Sequence, residues 1–216
     1  MDPPIAREEA QTEGIVFLSA GMALGTTAGF SPGPLLALLI SQTIKHGPKE
    51  GVKVAFAPMI TDFPILLVST YLLIRLSDTQ WILGVLSILG GVFLVHLAYT
   101  MMKTRGVEGT VDKEVPYSFL KGAIVNALNP HPYLFWITVG APTIIKGLAG
   151  GLIAPVVFVG SFFGCLVGSK VLLAVVVGKS RSFLTGRAYL SIMRVLGIGL
   201  LVFALVLFKD GLRLLK

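Results

Sequence analysis

The chain has 216 residues, of which 54% are hydrophobic and only 13% charged, with a formal net charge of +7. A mean hydropathy of +0.84 excludes an ordinary water-soluble domain of this size and points to a bilayer protein. The excess lysine and arginine sit in short connections between apolar stretches rather than in one patch, so no nucleic-acid partner is expected.

The leading segment, residues 1–13, carries Asp2, Glu8, Glu9 and Glu13 against a single Arg7. A secretory signal begins with a basic stretch, and no cleaved signal is expected here. Crossing a bilayer takes roughly 20 mainly apolar residues, and six such spans are predicted. Span one, Gly14–Ile44, is too long for a simple helix and is interrupted by Ser31-Pro32-Gly33-Pro34. It reads as two helical segments with a bend, because proline lacks an amide donor and clashes with the preceding turn. Gly21, Gly25 and Gly29 form a small-residue ladder in its first part, a pattern that lets helix backbones approach in lipid.

Span two, Val54–Ile74, holds Asp62 in the sequence Thr61-Asp62-Phe63-Pro64. Span three, Trp81–Met102, holds His96 among apolar neighbours, which reads as a hydrogen-bonded interior histidine. Span four, Tyr117–Val139, contains Asn126 and a second proline break, Asn129-Pro130-His131-Pro132. Span five, Leu152–Val177, carries Lys170, the lone Cys165 and a second ladder, Gly160, Gly164 and Gly168, that is also read as close helix packing. One cysteine makes no intrachain disulfide and no redox pair. Span six, Ala188–Phe208, includes Arg194, which is expected to snorkel toward the boundary.

Basic residues alternate between connections. Lys45, Lys49 and Lys53, then Lys103, Arg105 and Lys113, then Lys179, Arg181 and Arg187 mark three rich segments, whereas the intervening two hold only Arg75 and Lys146. By the positive-inside rule the rich segments face the cytoplasm and both termini face out. The C-terminal Lys209, Arg213 and Lys216 run mildly against that orientation.

The two proline breaks lie about half a chain length apart, so aligning them sets spans one to three against spans four to six. Three spans per copy force the second copy to enter the membrane with opposite topology. The expected fold is therefore an all-α integral membrane protein, with residues 1–108 and 109–216 as two inverted three-helix repeats of one membrane domain. Helices one and four would be broken at the Pro-x-Pro motifs. Irregular backbone at membrane depth is tolerated only where protein or a wet cavity satisfies it, and matched breaks in two halves point to a substrate site.

Charges inside a span are functional candidates because lipid burial is costly. Asp62 and Lys170 each lie about 13 Å from the same predicted side, at 1.5 Å rise per residue, and can meet. Asp62 reads either as a proton carrier or as half of a static ion pair with Lys170, since burial favours the neutral acid and a nearby cation the carboxylate. His131, inside the second break, can bind an anion, shuttle a proton or cap freed backbone. A helix restarting after Pro34 or Pro132 turns free amides toward the break and favours a carboxylate. Ser31, Asn126 and Asn129 add neutral donors and acceptors, and Asp62 suits an ammonium group. The candidate substrate site is thus Ser31, Pro32, Gly33, Pro34, Asp62, Asn126, Asn129, Pro130, His131 and Lys170, and a zwitterionic amino acid matches it.

These residues resemble the lysine-exporter (LysE/RhtB-type) amino-acid efflux family. The resemblance rests on Pro32-Gly33-Pro34, on Asp62, on Gly90-Gly91-Val92-Phe93-Leu94, and on Phe119 through Asn126 to Asn129-Pro130 with Phe135-Trp136. It implies a six-helix inverted-repeat exporter that moves amino acids or related small metabolites outward, coupled to the proton gradient. Leu35 follows the first break where many members have asparagine, His131 stands where many have lysine, and Thr61 stands where a glycine often precedes the aspartate. The expected function is a multi-pass cell-membrane exporter of amino acids with no cofactor and no resident metal, Asp62 and His131 serving proton coupling. Its partners would be a small-molecule substrate and membrane lipid, and a homodimer is compatible with the architecture. The alternatives are a divalent-metal or ion exporter on the same scaffold, kept open by His131, His96 and Asp62, and a non-transporting subunit or membrane enzyme. No clustered nucleophile and base supports an enzyme.

Overall fold

A computed structural model describes residues 4–76, 80–103, 117–179 and 187–215. Every described element is helical: α1 (Pro4–Phe30), α2 (Pro34–His46), α3 (Pro48–Ala55), α4 (Ala57–Leu76), α5 (Gln80–Met102), α6 (Ser118–Ala127), α7 (Pro130–Phe135), a π-helical turn (Trp136–Gly140), α8 (Ala141–Leu148), α9 (Ile153–Lys179) and α10 (Arg187–Leu214). The predicted boundary between repeats at 108 and 109, with Arg105, Lys113 and Arg181, lies outside the described residues.

Proline sets the starts. Pro34, Pro48 and Pro130 open α2, α3 and α7, where a fixed φ suits the helix and the missing amide would have had no intrahelical partner anyway. The α1–α2 bend is 62°. Between α2 and α3 the chain turns through Gly47 at φ 94°, a left-handed conformation in which a side chain would be strained.

By length and composition, three described helices can cross a membrane, Pro48–Arg75, Ile153–Lys179 and Arg194–Leu214, and the bent pair Gly14–Phe30 with Pro34–His46 makes a fourth. Gly84–Tyr99 is a shorter apolar helix. The predicted fourth span differs most. Instead of a span broken once and ending at Val139, the chain builds α6, α7, the π-helical turn and α8, and stays helical to Leu148. The cause is proline density: Pro130 and Pro132 start a new helix, and Pro142 deprives the Thr138 carbonyl of its usual donor four residues on, which a wider π turn accommodates. Gly90 allows α5 to lie against that carbonyl, since a Cβ there would sit 2.5 Å from it.

The most extensive contacts join α1 to α9 and α5 to α10. Gly21, Gly25 and Gly29 create the first, because a Cβ on each would strike Phe158, Phe162 or Ser169 of α9. The second ladder does not pack as its sequence suggested: Gly160, Gly164 and Gly168 have nothing within 4 Å of a hypothetical Cβ and face outward. The centre is carbon, with Leu36, Leu39, Ile40, Leu94, Phe158 and Leu173 fully buried. The outside is carbon as well: Ile60, Leu67, Val68 and Leu72 on α4, and Val195, Ile198, Val202 and Leu205 on α10, are exposed. A continuous apolar exterior of this kind is suited to lipid, and the helical fold satisfies its backbone internally.

Candidate functional site

The two breaks meet around a cavity of about 260 Å³. Ser31, Pro32, Gly33 and Pro34 line it from the first break, and Asn129, His131 and Pro132 from the second. Asp62 of α4, Asn126 of α6 and Lys170 of α9 complete the polar wall. The predicted site residues therefore come together with one exception: Pro130 is exposed at the start of α7 and is not part of the lining, which takes Pro132 instead.

Asp62 is 6% exposed and Lys170 3%. They share the cavity and a residual Coulombic attraction, but each is held by a different neighbour and they do not form an ion pair. Asn126 Nδ2 donates to Asp62 Oδ1 at 2.6 Å and to Thr61 Oγ1 at 2.7 Å, while Thr61 Oγ1 donates to the Ala57 carbonyl at 3.1 Å. The buried Trp136 indole N–H lies within electrostatic reach of the same carboxylate without completing a hydrogen bond. Two residues further along α4, Pro64 removes the donor for the Ile60 carbonyl, so the helix carrying Asp62 is locally loosened.

Lys170 Nζ donates to the Gly29 carbonyl at 3.1 Å. That carbonyl belongs to the last turn of α1, where the break strips carbonyls of their intrahelical donors and a cation is favoured. An ammonium has three protons to give, so capping α1 leaves Lys170 able to bind a second group from within the cavity. In the second break, Asn129 Oδ1 accepts from the His131 amide at 3.1 Å, capping α7. Tyr133 Oη donates to the Ala127 carbonyl at 2.8 Å, closing the end of α6. The His131 ring stands edge-on to Phe93, with ring centroids 5.8 Å apart.

Sequence reasoning missed part of this wall. Phe93, His96 and Leu97 of α5 line the cavity together with Pro58, Phe135 and Phe162. Positions 93, 96 and 97 share one helix face by their spacing, but the same spacing describes ordinary packing, and nothing in the chain marks that face as cavity-lining. His96 is exposed rather than interior, and it carries an interaction of its own. Pro58, inside an apolar run, was a readable signal for the turn at Phe56 that separates α3 from α4. Among the described residues no group of three or more His, Cys, Asp or Glu is placed to hold a metal ion, so the divalent-metal alternative gains no specific support.

A chain whose described elements are all helical, with an apolar exterior and a small cavity lined by both charged and apolar residues where two helix breaks meet, has the make-up of a membrane translocator. A family model for LysE type translocators matches residues 26–211. The match spans both breaks and every described lining residue, and the protein belongs to that family: it is an integral membrane transporter for a small-molecule substrate, in a family of translocators rather than enzymes. No curated protein and no solved structure gives a significant match.

Proposed function

We propose that the protein exports amino acids or related small zwitterionic metabolites across the cell membrane in exchange for protons. The observation that carries this reading is the pair of buried, oppositely charged groups, Asp62 and Lys170, that face one small cavity without neutralising each other. A zwitterion supplies the missing partner to both. Its ammonium group meets the Asp62 carboxylate, and its carboxylate meets the spare protons of Lys170, with the Leu35 and Leu36 end of α2 beside it.

Proton coupling follows if one carboxylate serves two ligands. Asp62 binds either a proton or the substrate ammonium, so protonation on one side releases substrate and deprotonation on the other restores the site. His131 is a second proton carrier at the cavity wall. The Asn126 hydrogen bond keeps the carboxylate aimed in both states. Two inverted three-helix repeats, 1–108 and 109–216, would supply alternating access by rocking around the breaks. The basic ends are placed compatibly: Pro48, next to Lys49, meets Gly178, next to Lys179, and this end is assigned to the cytoplasm.

The test is flux of an amino-acid pool in proteoliposomes under an imposed proton gradient, comparing the native chain with Asp62→Asn. Gradient-driven movement that the variant loses is the expected result. If folded native protein moved no amino acid, the substrate class would be wrong; movement unchanged in Asp62→Asn would reduce Asp62 to a structural partner of Asn126.

A further inference from the structure

Part of the cavity wall is apolar, and the geometry points to a subsite for an apolar side chain: the transported amino acid carries a branched aliphatic or aromatic side chain, not a basic one. This inference rests on the zwitterion reading above and adds the identity of the group attached to it. The apolar part of the wall is contributed by Leu97 and Phe93 of α5, on the same face as His96, by Phe135 of α7, and by Phe162 and Leu166 of α9.

Its Phe135 and Phe162 part is fixed in place by further aromatic rings. Phe135 and Phe162 are stacked with ring centroids 5.0 Å apart and 15° between planes. Trp136 buttresses Phe162 edge-on at 5.1 Å, and Phe163 and Phe158 pack on the same ring at 5.5 and 6.3 Å. An aromatic surface held this firmly keeps its shape when the site is empty and cannot retreat to admit a charged group. The volume of about 260 Å³ sits below the range of roughly 300–1,000 Å³ for drug-sized ligands, which suits a single amino acid.

Charge balance excludes the basic class. Asp62 is the one carboxylate among the described lining residues, and the α-ammonium group occupies it. A lysine or arginine side chain would bring a further cation among Phe93, Phe135 and Phe162, with no anion to meet it and with Lys170 in the same cavity. A buried charge without a counter-ion costs more than an aromatic face returns to a cation.

The experiment is equilibrium binding of leucine, phenylalanine, glycine and lysine to the purified full chain in detergent, with the native protein and Phe93→Ala measured alike. Glycine shares the zwitterion and lacks the side chain, so the leucine-to-glycine affinity ratio isolates the subsite and cancels any inactive fraction in a preparation. Leucine or phenylalanine should bind at least about tenfold more tightly than glycine, the discrimination small apolar groups achieve in a fitted pocket, with lysine weakest. Phe93→Ala should lower the leucine-to-glycine ratio by about threefold or more, as apolar contact is lost. Equal affinities, tightest binding of lysine, or an unchanged ratio in Phe93→Ala would overturn the subsite while leaving the zwitterion reading intact. Binding of none of the four would overturn the zwitterion reading and the subsite with it.

Discussion

The two helix breaks meet at one cavity but are built in opposite ways. At the first, Gly33 offers no side-chain cap to α2, and the buried end of α1 is held from another helix by Lys170 on the Gly29 carbonyl. At the second, the chain caps itself: Asn129 holds α7 and Tyr133 holds α6. The first break is therefore sensitive to whatever else Lys170 binds, whereas the second is closed by local bonds.

A parallel contrast separates the two glycine ladders. Replacing Gly25 by Val places side-chain atoms against the Phe162 backbone and should destabilise the protein by about 3 kcal/mol or more, at the upper end of overpacking costs. The matched change Gly164→Val enters open space and should leave thermal unfolding in detergent nearly unchanged. Equal effects would mean that α9 meets its neighbours through the other face.

Next in size, Lys170→Met keeps the length of the stem but leaves the Gly29 carbonyl without its donor, a loss of about 1–3 kcal/mol for an unsatisfied buried group, together with loss of amino-acid binding. Unchanged stability and binding would detach the first break from Lys170. Asn129→Ala removes the cap of α7 and should cost about 1 kcal/mol, with a smaller loss of binding than Lys170→Met because the cavity's charged groups are untouched. Tyr133→Phe should cost about 0.5–1.5 kcal/mol through the lost Ala127 bond, and the two variants together test whether the second break is self-held.

The smallest effect is expected at Lys146 and Asp210, whose 2.8 Å ion pair ties α8 to α10 with the lysine side chain 68% exposed. Exposed pairs contribute about 0–1 kcal/mol and are screened by salt. Lys146→Ala should shift unfolding little at low salt and not at all at high salt.

Much of the site could be read in advance because polar residues and prolines are rare in an apolar chain. Asp62, Lys170 and the two breaks stood out, and their equal depth suggested one level in the membrane. What stayed hidden was relative rotation. Gly25 and Gly164 belong to identical ladders with opposite surroundings, since sequence gives the spacing along a helix and not the neighbour across it. His96 and Phe93 were hidden for the same reason. The π-helical turn at Trp136–Gly140 depends on how the chain absorbs Pro142, a local choice settled by packing against α5. Capping by Asn129 was legible in kind, because asparagine before proline is a helix-start signal, but the reach of Tyr133 back to Ala127 was not.

The central claim is that Asp62 exchanges a proton for the substrate's ammonium group. Its most direct test is proton release from the purified full chain in weakly buffered detergent on addition of a saturating amino-acid mixture, over a range of pH. Close to one proton should be released per amino acid bound wherever the empty site is protonated, and none from Asp62→Asn. Binding without proton release at any pH, or the same release from Asp62→Asn, would contradict it.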